Sequence, residues 1–260
     1  MSRRHELSAA CLLVFMLTLA LSHSGCAQSA SFALPDAPQP QAHNAVTLRN
    51  TPRYILSDQA AIWTSPARLR DSNLAGPAVL VLATAVLITT DHEVMSSEVP
   101  TNALLNSHAV TASNALVGGF VAAPALIYGL GRIHGDRHAT ETGILDGEAM
   151  LDSLAVNEVL KAVSLRERPS VDNARGKFFQ TSVGLDSSFP SNHSVVAWSS
   201  AAVLASEYDG PLTRLTAYGL AAGVSVTRVL GREHFPSDVL VGSAVGWMIG
   251  HYVVHRHRAE

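Results

Sequence analysis

The sequence predicts an all-α protein, a bundle of about six helices. Three observations predict it. From Leu74 onward the apolar runs are long, Ala-rich and poor in the alternation of a strand. Gly, Pro and Asp punctuate them, as at Gly129-Leu130-Gly131 and Asp209-Gly210-Pro211. No repeat at solenoid spacing competes with this pattern.

The first 27 residues stand apart. Arg3, Arg4 and His5 form a basic start, Ala9 to Leu21 is apolar, and the small residues Ser24-Gly25-Cys26-Ala27 follow. This is the layout of a secretory signal peptide, where cleavage after Ala27 puts Gly25 and Ala27 at the small-residue positions; an uncleaved N-terminal anchor and, more weakly, lipidation at Cys26 are the alternatives. It predicts export to the cell envelope, periplasmic or membrane-associated, with the active site outside the cytoplasm. Residues 28–66 read as a Pro-rich extension or linker, because Pro35, Pro38, Pro40, Pro52 and Pro66 interrupt any helix. Trp63 is a candidate anchor for the end of that stretch.

Residues 67–260 form the predicted helical domain, with helices over about 74–90, 113–130, 141–164, 192–207, 212–230 and 237–255. The runs at 74–90 and 113–130 fall just short of the ~20 residues that span a bilayer, and they contain Pro77 and Pro124. The helix at 141–164 carries Glu148, Asp152, Asn157 and Glu158, which suit protein contacts or water better than lipid. If the first three helices all spanned, the 165–191 loop would lie in the cytoplasm, against the export signal. The expectation is therefore an exported bundle that is peripheral or only partly embedded.

Composition narrows the function. Only 15% of the residues are charged and 47% are hydrophobic, which excludes a disordered chain. A net charge of −3 without a long basic stripe argues against nucleic acid. Both cysteines, Cys11 and Cys26, lie in the leader, so the body holds no disulfide and no Cys-based metal site. Lys161 and Lys177 are the only lysines, beside many Arg and 12 His. Where these bases cluster is the informative question.

Three short segments answer it. In the first, Lys161 to Pro169, Lys161 and Arg168 are two helical turns apart and would share a face of a continuing helix that Pro169 ends. The second is Phe189-Pro190-Ser191-Asn192-His193. With Pro190 at the first helical position, Ser191, Asn192 and His193 occupy a first turn, where free N–H groups and the dipole favour an anion. In the third, Thr227 to Asp238, Pro236 marks a helix start, with His234 just before it and Asp238 in its first turn. A carboxylate there is placed to fix one imidazole nitrogen and leave the other as nucleophile or base. Arg228 supplies another guanidinium. Each segment alone reads as ordinary helix-end chemistry.

Their order, Lys-x6-Arg-Pro, then Pro-Ser-x-His, then Arg-x5-His-x3-Asp, resembles the type 2 phosphatidic acid phosphatase (PAP2) superfamily, which includes lipid phosphatases, non-specific acid phosphatases and vanadium-dependent haloperoxidases. The resemblance covers about residues 70–255. Asn192 stands where the family usually has Gly, and Thr227 where it commonly has Ser. The resemblance implies a metal-independent phosphatase of phosphomonoesters or diphosphates, with no cofactor. By similarity Lys161, Arg168, Ser191, Asn192 and Arg228 bind the phosphoryl group. His234 attacks phosphorus, Asp238 orients it, and His193 protonates the leaving oxygen and then activates water. The apolar helices favour a phosphorylated lipid, phosphatidic acid or a polyprenyl diphosphate, and association with a membrane. A soluble phosphomonoester, vanadate-dependent haloperoxidase chemistry and a non-catalytic phosphate-binding module are the alternatives.

Other polar residues are read more plainly. His134 and His138, with Asp136 and Glu141 nearby, have helical metal-ligand spacing, but the flanking Gly131 and Gly135 favour a loop. His251, His255 and His257 read as a solvated end, with a metal-binding tail as the weaker reading. Glu148, Asp152 and Glu158 are expected to pair internally with the basic loop residues, with a water-facing surface as the alternative. Arg166, Arg175, Lys177 and Arg232 are expected at the entrance or in solvent.

Overall fold

In the computed structural model, residues 46–65 and 74–259 are described. They form seven α-helices and no strand: α1 Thr51–Thr64, α2 Ala75–Glu93, α3 Ala103–His134, α4 Arg137–Ser164, α5 Asn192–Glu207, α6 Pro211–Leu230 and α7 Pro236–Ala259. The predicted signal peptide lies outside the described residues.

α1 departs from the expected linker. Pro52 sits in its first turn, where a missing N–H costs nothing, so it starts the helix and does not interrupt it. Trp63 is not the anchor; it remains 46% exposed. The ties come from its neighbours: Gln59 Nε2 donates to the Asp152 carboxylate and carbonyl at 2.8 and 3.0 Å, and Asp58 is fully buried. The helical domain therefore includes residues before 67.

α2 and α3 are longer than their apolar runs. α2 continues into a single π-helical turn, Val94–Glu98. α3 begins at Asn102, whose Oδ1 accepts from the amides of Leu104 and Leu105. Its first three turns are polar (Asn106, Ser107, His108, Thr111, Asn114), so hydrophobic periodicity starts the helix too late. The Gly129-Leu130-Gly131 break is absent; α3 runs on to Gly135, a left-handed C-cap. Pro124 lies inside it. Ala75–Glu98 and Ala103–His134 are long and apolar enough to cross a membrane, and both are largely uncovered by the rest of the protein.

α5 is the central helix. Val195 and Val203 pack with Leu145, Ala149 and Val156 of α4 and with Val245, Ile249 and Val253 of α7. Its opposite face, Val196, Ala197 and Ala201, packs with Phe120 of α3, Met150 of α4 and Ala217, Ala221 and Val224 of α6. On α7, Gly242 and Gly250 lie against the α5 backbone. A Cβ there would fall 2.7 Å from Ser191 O and 2.5 Å from Ser199 O, so the close approach requires glycine. That contact brings the starts of α5 and α7 together, and the Ser191 amide donates to the Asp238 carbonyl at 3.1 Å.

The helices alternate in direction. One end of the bundle gathers the end of α2, the start of α3, the end of α4 and start of α5, and the end of α6 and start of α7. All three sequence segments lie at that end.

Candidate functional site

Leu165, with φ 43°, stops α4 at Ser164, five residues before Pro169. Lys161 and Arg168 therefore do not share a continuing helix; a loop carries Arg168 back. Lys161 is buried and its Nζ donates to the Ser187 carbonyl. Burial, then the nearby Arg168 charge, lower its pKa to about 8.

Arg168 and Arg228 meet on one carboxylate. Glu233 Oε2 lies 3.2 Å from Arg168 Nη1 and 3.2 Å from Arg228 Nη2. Arg168 also donates to Asp186 Oδ1 at 2.7 Å and to the Glu233 carbonyl at 3.1 Å. Arg228 is 5% exposed, and its Nε is buried without a hydrogen-bond partner. Two guanidiniums converging on an oxyanion form an anion site.

The start of α5 faces this pair. The helix begins at Asn192, so Pro190 lies before the cap and not at the first helical position. Ser191 is the N-cap: its Oγ accepts from the Ser194 amide at 3.4 Å, which leaves its own proton to donate. The Asn192 side chain turns away to α4, donating to Glu158 Oε1 at 2.7 Å and accepting from Asn157 Nδ2 at 2.5 Å. Only its backbone amide is left for an anion, and the side chain does not crowd the approach. His193 Nε2 lies 2.9 Å from Asn114 Oδ1 on α3. Burial, then the charges of Arg228, His234, Arg168 and Lys161, lower its pKa to about 4. All four belong to the three segments and lie close enough for their charges to act on one imidazole.

His234 is 2% exposed. Its Nδ1 lies 2.8 Å from the Ser188 carbonyl and 3.6 Å from Asp238 Oδ2. A carbonyl only accepts, so Nδ1 carries the proton and Nε2 keeps its lone pair. The close orienting bond thus comes from Ser188, with Asp238 behind it as an ion-pair contact. Burial holds His234 below its usual pKa despite Asp238. Burial acts to raise Asp238, but His234 and Arg166 outweigh it and keep the carboxyl below the usual range.

Arg166 is no entrance residue. It is 1% exposed, between the rings of Phe178 and Phe235 at 4.6 and 4.1 Å. Its guanidinium donates to Asp238 Oδ1 at 2.6 Å, Ser237 Oγ at 2.7 Å, Asp91 Oδ2 at 2.7 Å and the Gly176 carbonyl at 3.2 Å. Phe235 N–H completes the grip on Asp238 at 2.8 Å. Sequence spacing alone does not mark Arg166, Asn114, Ser188 or Glu233. Glu233 did carry one signal, its place immediately before His234.

Arg232 donates to the Val99 carbonyl at 3.0 Å, while Lys177 pairs with Asp172. His134 and His138 have separate partners, the Leu130 carbonyl and Glu207. Glu148, Asp152 and Glu158 have internal partners, but these are His257, Gln59 and Asn192 in place of the expected basic loop residues. His257 is not solvated; its side chain is 3% exposed.

The family model described as the PAP2 superfamily matches residues 147–260, which contain all three segments. No curated protein matches the sequence. A solved structure that is similar in fold is the "first transmembrane PAP2 type phosphatidylglycerolphosphate phosphatase from Bacillus subtilis". The TM-score is 0.53 and the identity 21%, over 70% of this chain and 96% of that one. The helical bundle is the PAP2 fold.

Proposed function

From a chain whose residues 147–260 carry the PAP2 superfamily region, we propose a metal-independent phosphatase acting through a phosphohistidine, with a phosphorylated lipid as substrate. The observation that carries this reading is the convergence of Arg168 and Arg228, with its buried unpartnered Nε, beside His193 and a His234 whose Nε2 is free.

The phosphoryl group enters where Glu233 now bridges the arginines. Arg168, Arg228 and Lys161 neutralise its oxygens, joined by the Ser191 hydroxyl and the amides of Asn192 and His193 at the positive end of α5. His234 Nε2 attacks phosphorus as the ester P–O bond breaks. The leaving oxygen takes its proton from His193. Water then gives a proton to His193 and attacks phosphorus, the P–N bond breaks, and phosphate leaves with both histidines restored. Asp238 and the Ser188 carbonyl stabilise the imidazolium of the attacking ring. In the free protein His193 is neutral at pH 7, because it is buried and positive neighbours act on it. A bound dianion offsets those charges and restores the proton that the leaving group needs.

Substrate class and placement rest on the surface. Val79, Val81, Leu82 and Val86 on α2, and Val121, Leu126, Leu130 and Ile133 on α3, are exposed. This apolar surface runs along α2 and along residues 115–134 of α3, while Ser113 and Asn114 remain at the site. A bundle embedded along α2 and α3 therefore holds the site at the level of lipid head groups. We place that end outside the cytoplasm, in keeping with the export signal.

The test is turnover of p-nitrophenyl phosphate beside short-chain phosphatidic acid, with the purified protein in detergent. Release of phosphate from both, faster from the lipid, is expected. Turnover of neither overturns the reading, and vanadate-dependent bromination in its place identifies oxidative chemistry.

A further inference from the structure

At the opposite end of the bundle a second cluster forms from three distant parts of the chain. Asp58 of α1, Glu148 of α4 and His257 of α7 each offer a ligand atom, and these atoms lie within 4.8 Å of one another. Residue 148 precedes Lys161 by 13 positions on the same helix, about 20 Å along its axis, so the cluster is separate from the phosphate site.

The cluster is buried and short of partners. Asp58, Glu148 and the neighbouring Asp152 are each 0% exposed. Asp58 Oδ2, Glu148 Oε2 and Asp152 Oδ2 are all buried without a hydrogen bond. Asp58 Oδ1 lies 3.0 Å from Arg256 Nη1 and 3.5 Å from the Tyr252 hydroxyl, and Asp152 Oδ1 accepts from Gln59. His257 Nε2 points between the two acids, 2.9 Å from Glu148 Oε1 and 3.8 Å from Asp58 Oδ2. Tyr54 of α1 packs edge-on against the imidazole, at 4.6 Å between ring centroids, and fixes its aim.

Orphaned carboxylate oxygens in a protein interior are costly, and removing a bound cation's charge leaves that cost unpaid for by hydrogen bonds. Two carboxylates and one imidazole are a ligand set for a divalent transition metal. Donors about 2.0–2.1 Å from a tetrahedral ion are separated by about 3.4 Å, and the two measured separations straddle that distance. We propose that Asp58, Glu148 and His257 bind one divalent transition-metal ion of the zinc class, which fastens α1 and the end of α7 to α4. The ion plays no part in phosphoryl transfer. Its site is independent of the proposed activity.

The test uses the full chain in detergent, tag removed and metal stripped. Titration with Co²⁺, read by visible absorption, is expected to show one equivalent bound, displaced by Zn²⁺, with a rise of several degrees in Tm on adding Zn²⁺. The isosteric double variant Asp58→Asn/Glu148→Gln should lose at least about a hundredfold in affinity. It should also lose the Tm response while keeping p-nitrophenyl phosphate turnover, as should His257→Gln. No metal bound by folded wild-type protein overturns the proposal and leaves His257 as an ion-pair partner of the two acids. Binding that survives in both variants overturns it equally, since it then belongs to other histidines.

Discussion

Replacing Glu233 with Gln removes the carboxylate that now occupies the space between Arg168 and Arg228. Each guanidinium lies 3.2 Å from Oε2, and the Glu233 side chain is 36% exposed. At that distance a pair of unit charges is worth about 1.3 kcal/mol in water, so the two contacts amount to about 2.6 kcal/mol. A substrate must break both, but the displaced carboxylate regains water, and exposed pairs recover little net energy. The net penalty on anion binding is about 1–2 kcal/mol. Glu233→Gln should therefore bind inorganic phosphate and orthovanadate about 5–30-fold more tightly. Gln keeps the shape, and the Glu233 carbonyl still accepts from Arg168. The assay is the competitive inhibition constant of each anion against p-nitrophenyl phosphate, repeated at low and high salt. The gain should shrink with salt, because the site is partly open. An unchanged or weaker inhibition constant refutes the reasoning. It would mean that Glu233 holds the arginines in place more than it competes for them.

His234→Asn should reduce turnover at least about a thousandfold and abolish phosphoenzyme trapped in alkali, whereas His193→Ala should accumulate it from p-nitrophenyl phosphate, whose leaving group needs no acid. Wild-type turnover by His234→Asn removes the covalent mechanism. The kcat/KM profile should favour mild acid. Lys161 loses its charge as pH rises through about 8, and His193, at about 4 in the free protein, gains its proton only as pH falls. Bound phosphate raises His193, so the alkaline limb of kcat should lie at higher pH than that of kcat/KM; coincident limbs refute this. Arg166→Met should cost about 3–5 kcal/mol of stability, because Asp91 and Asp238 are left buried without their partner. A Tm unchanged within a degree or so shows the clamp to be dispensable. Phe179 is 72% exposed on the loop that carries Arg168, so Phe179→Cys in a chain with Cys11 and Cys26 changed to Ser should react with an impermeant maleimide on intact spheroplasts.

The helices that carry the site were largely legible because their ends are written in local chemistry. Pro236 and the acid in the first turn mark the start of α7, and α5 begins at the predicted residue behind its Ser191 cap. α1 was not legible, because the three prolines upstream and Pro52 within it look alike in composition, and only packing distinguishes a Pro that starts a helix. The start of α3 was hidden because its first turns are polar and largely exposed, with Ser113 and Asn114 reaching Arg228 and His193. At the site the motif spacing located the cations and histidines but not their second partners. Arg166 and Arg168 are indistinguishable by charge and lie two residues apart. The left-handed turn at Leu165 sends the first into the core and the second to the pocket. Loop geometry of that kind depends on Phe178, Phe235 and Asp91, far away in sequence.

Helix direction also constrains how the protein meets a membrane. Because the site end collects the end of α2 and the start of α3, it lies across the bundle from the start of α2. If α2 and every later helix crossed the bilayer, with no crossing before α2, a leader that delivers residue 28 outside would leave the site inside. The helices do not share the property that crossing requires. α5 has 16 residues and rises about 24 Å, short of the hydrocarbon core, and its end is followed by an exposed Asp209–Arg214 ion pair. α4 buries Asp146, Glu148 and Asp152 against protein, and only Leu151, Val159 and Val163 of its large apolar residues stay exposed. Uncovered apolar surface is concentrated on α2, α3 and part of α6, where Leu212, Leu215 and Leu220 are exposed. That distribution fits a bundle lying with one side in the outer leaflet, its catalytic end open to the exterior and to head groups in the same leaflet. Labelling of Phe179→Cys from outside is the result this arrangement requires, and protection until the membrane is broken is the result that full crossing requires.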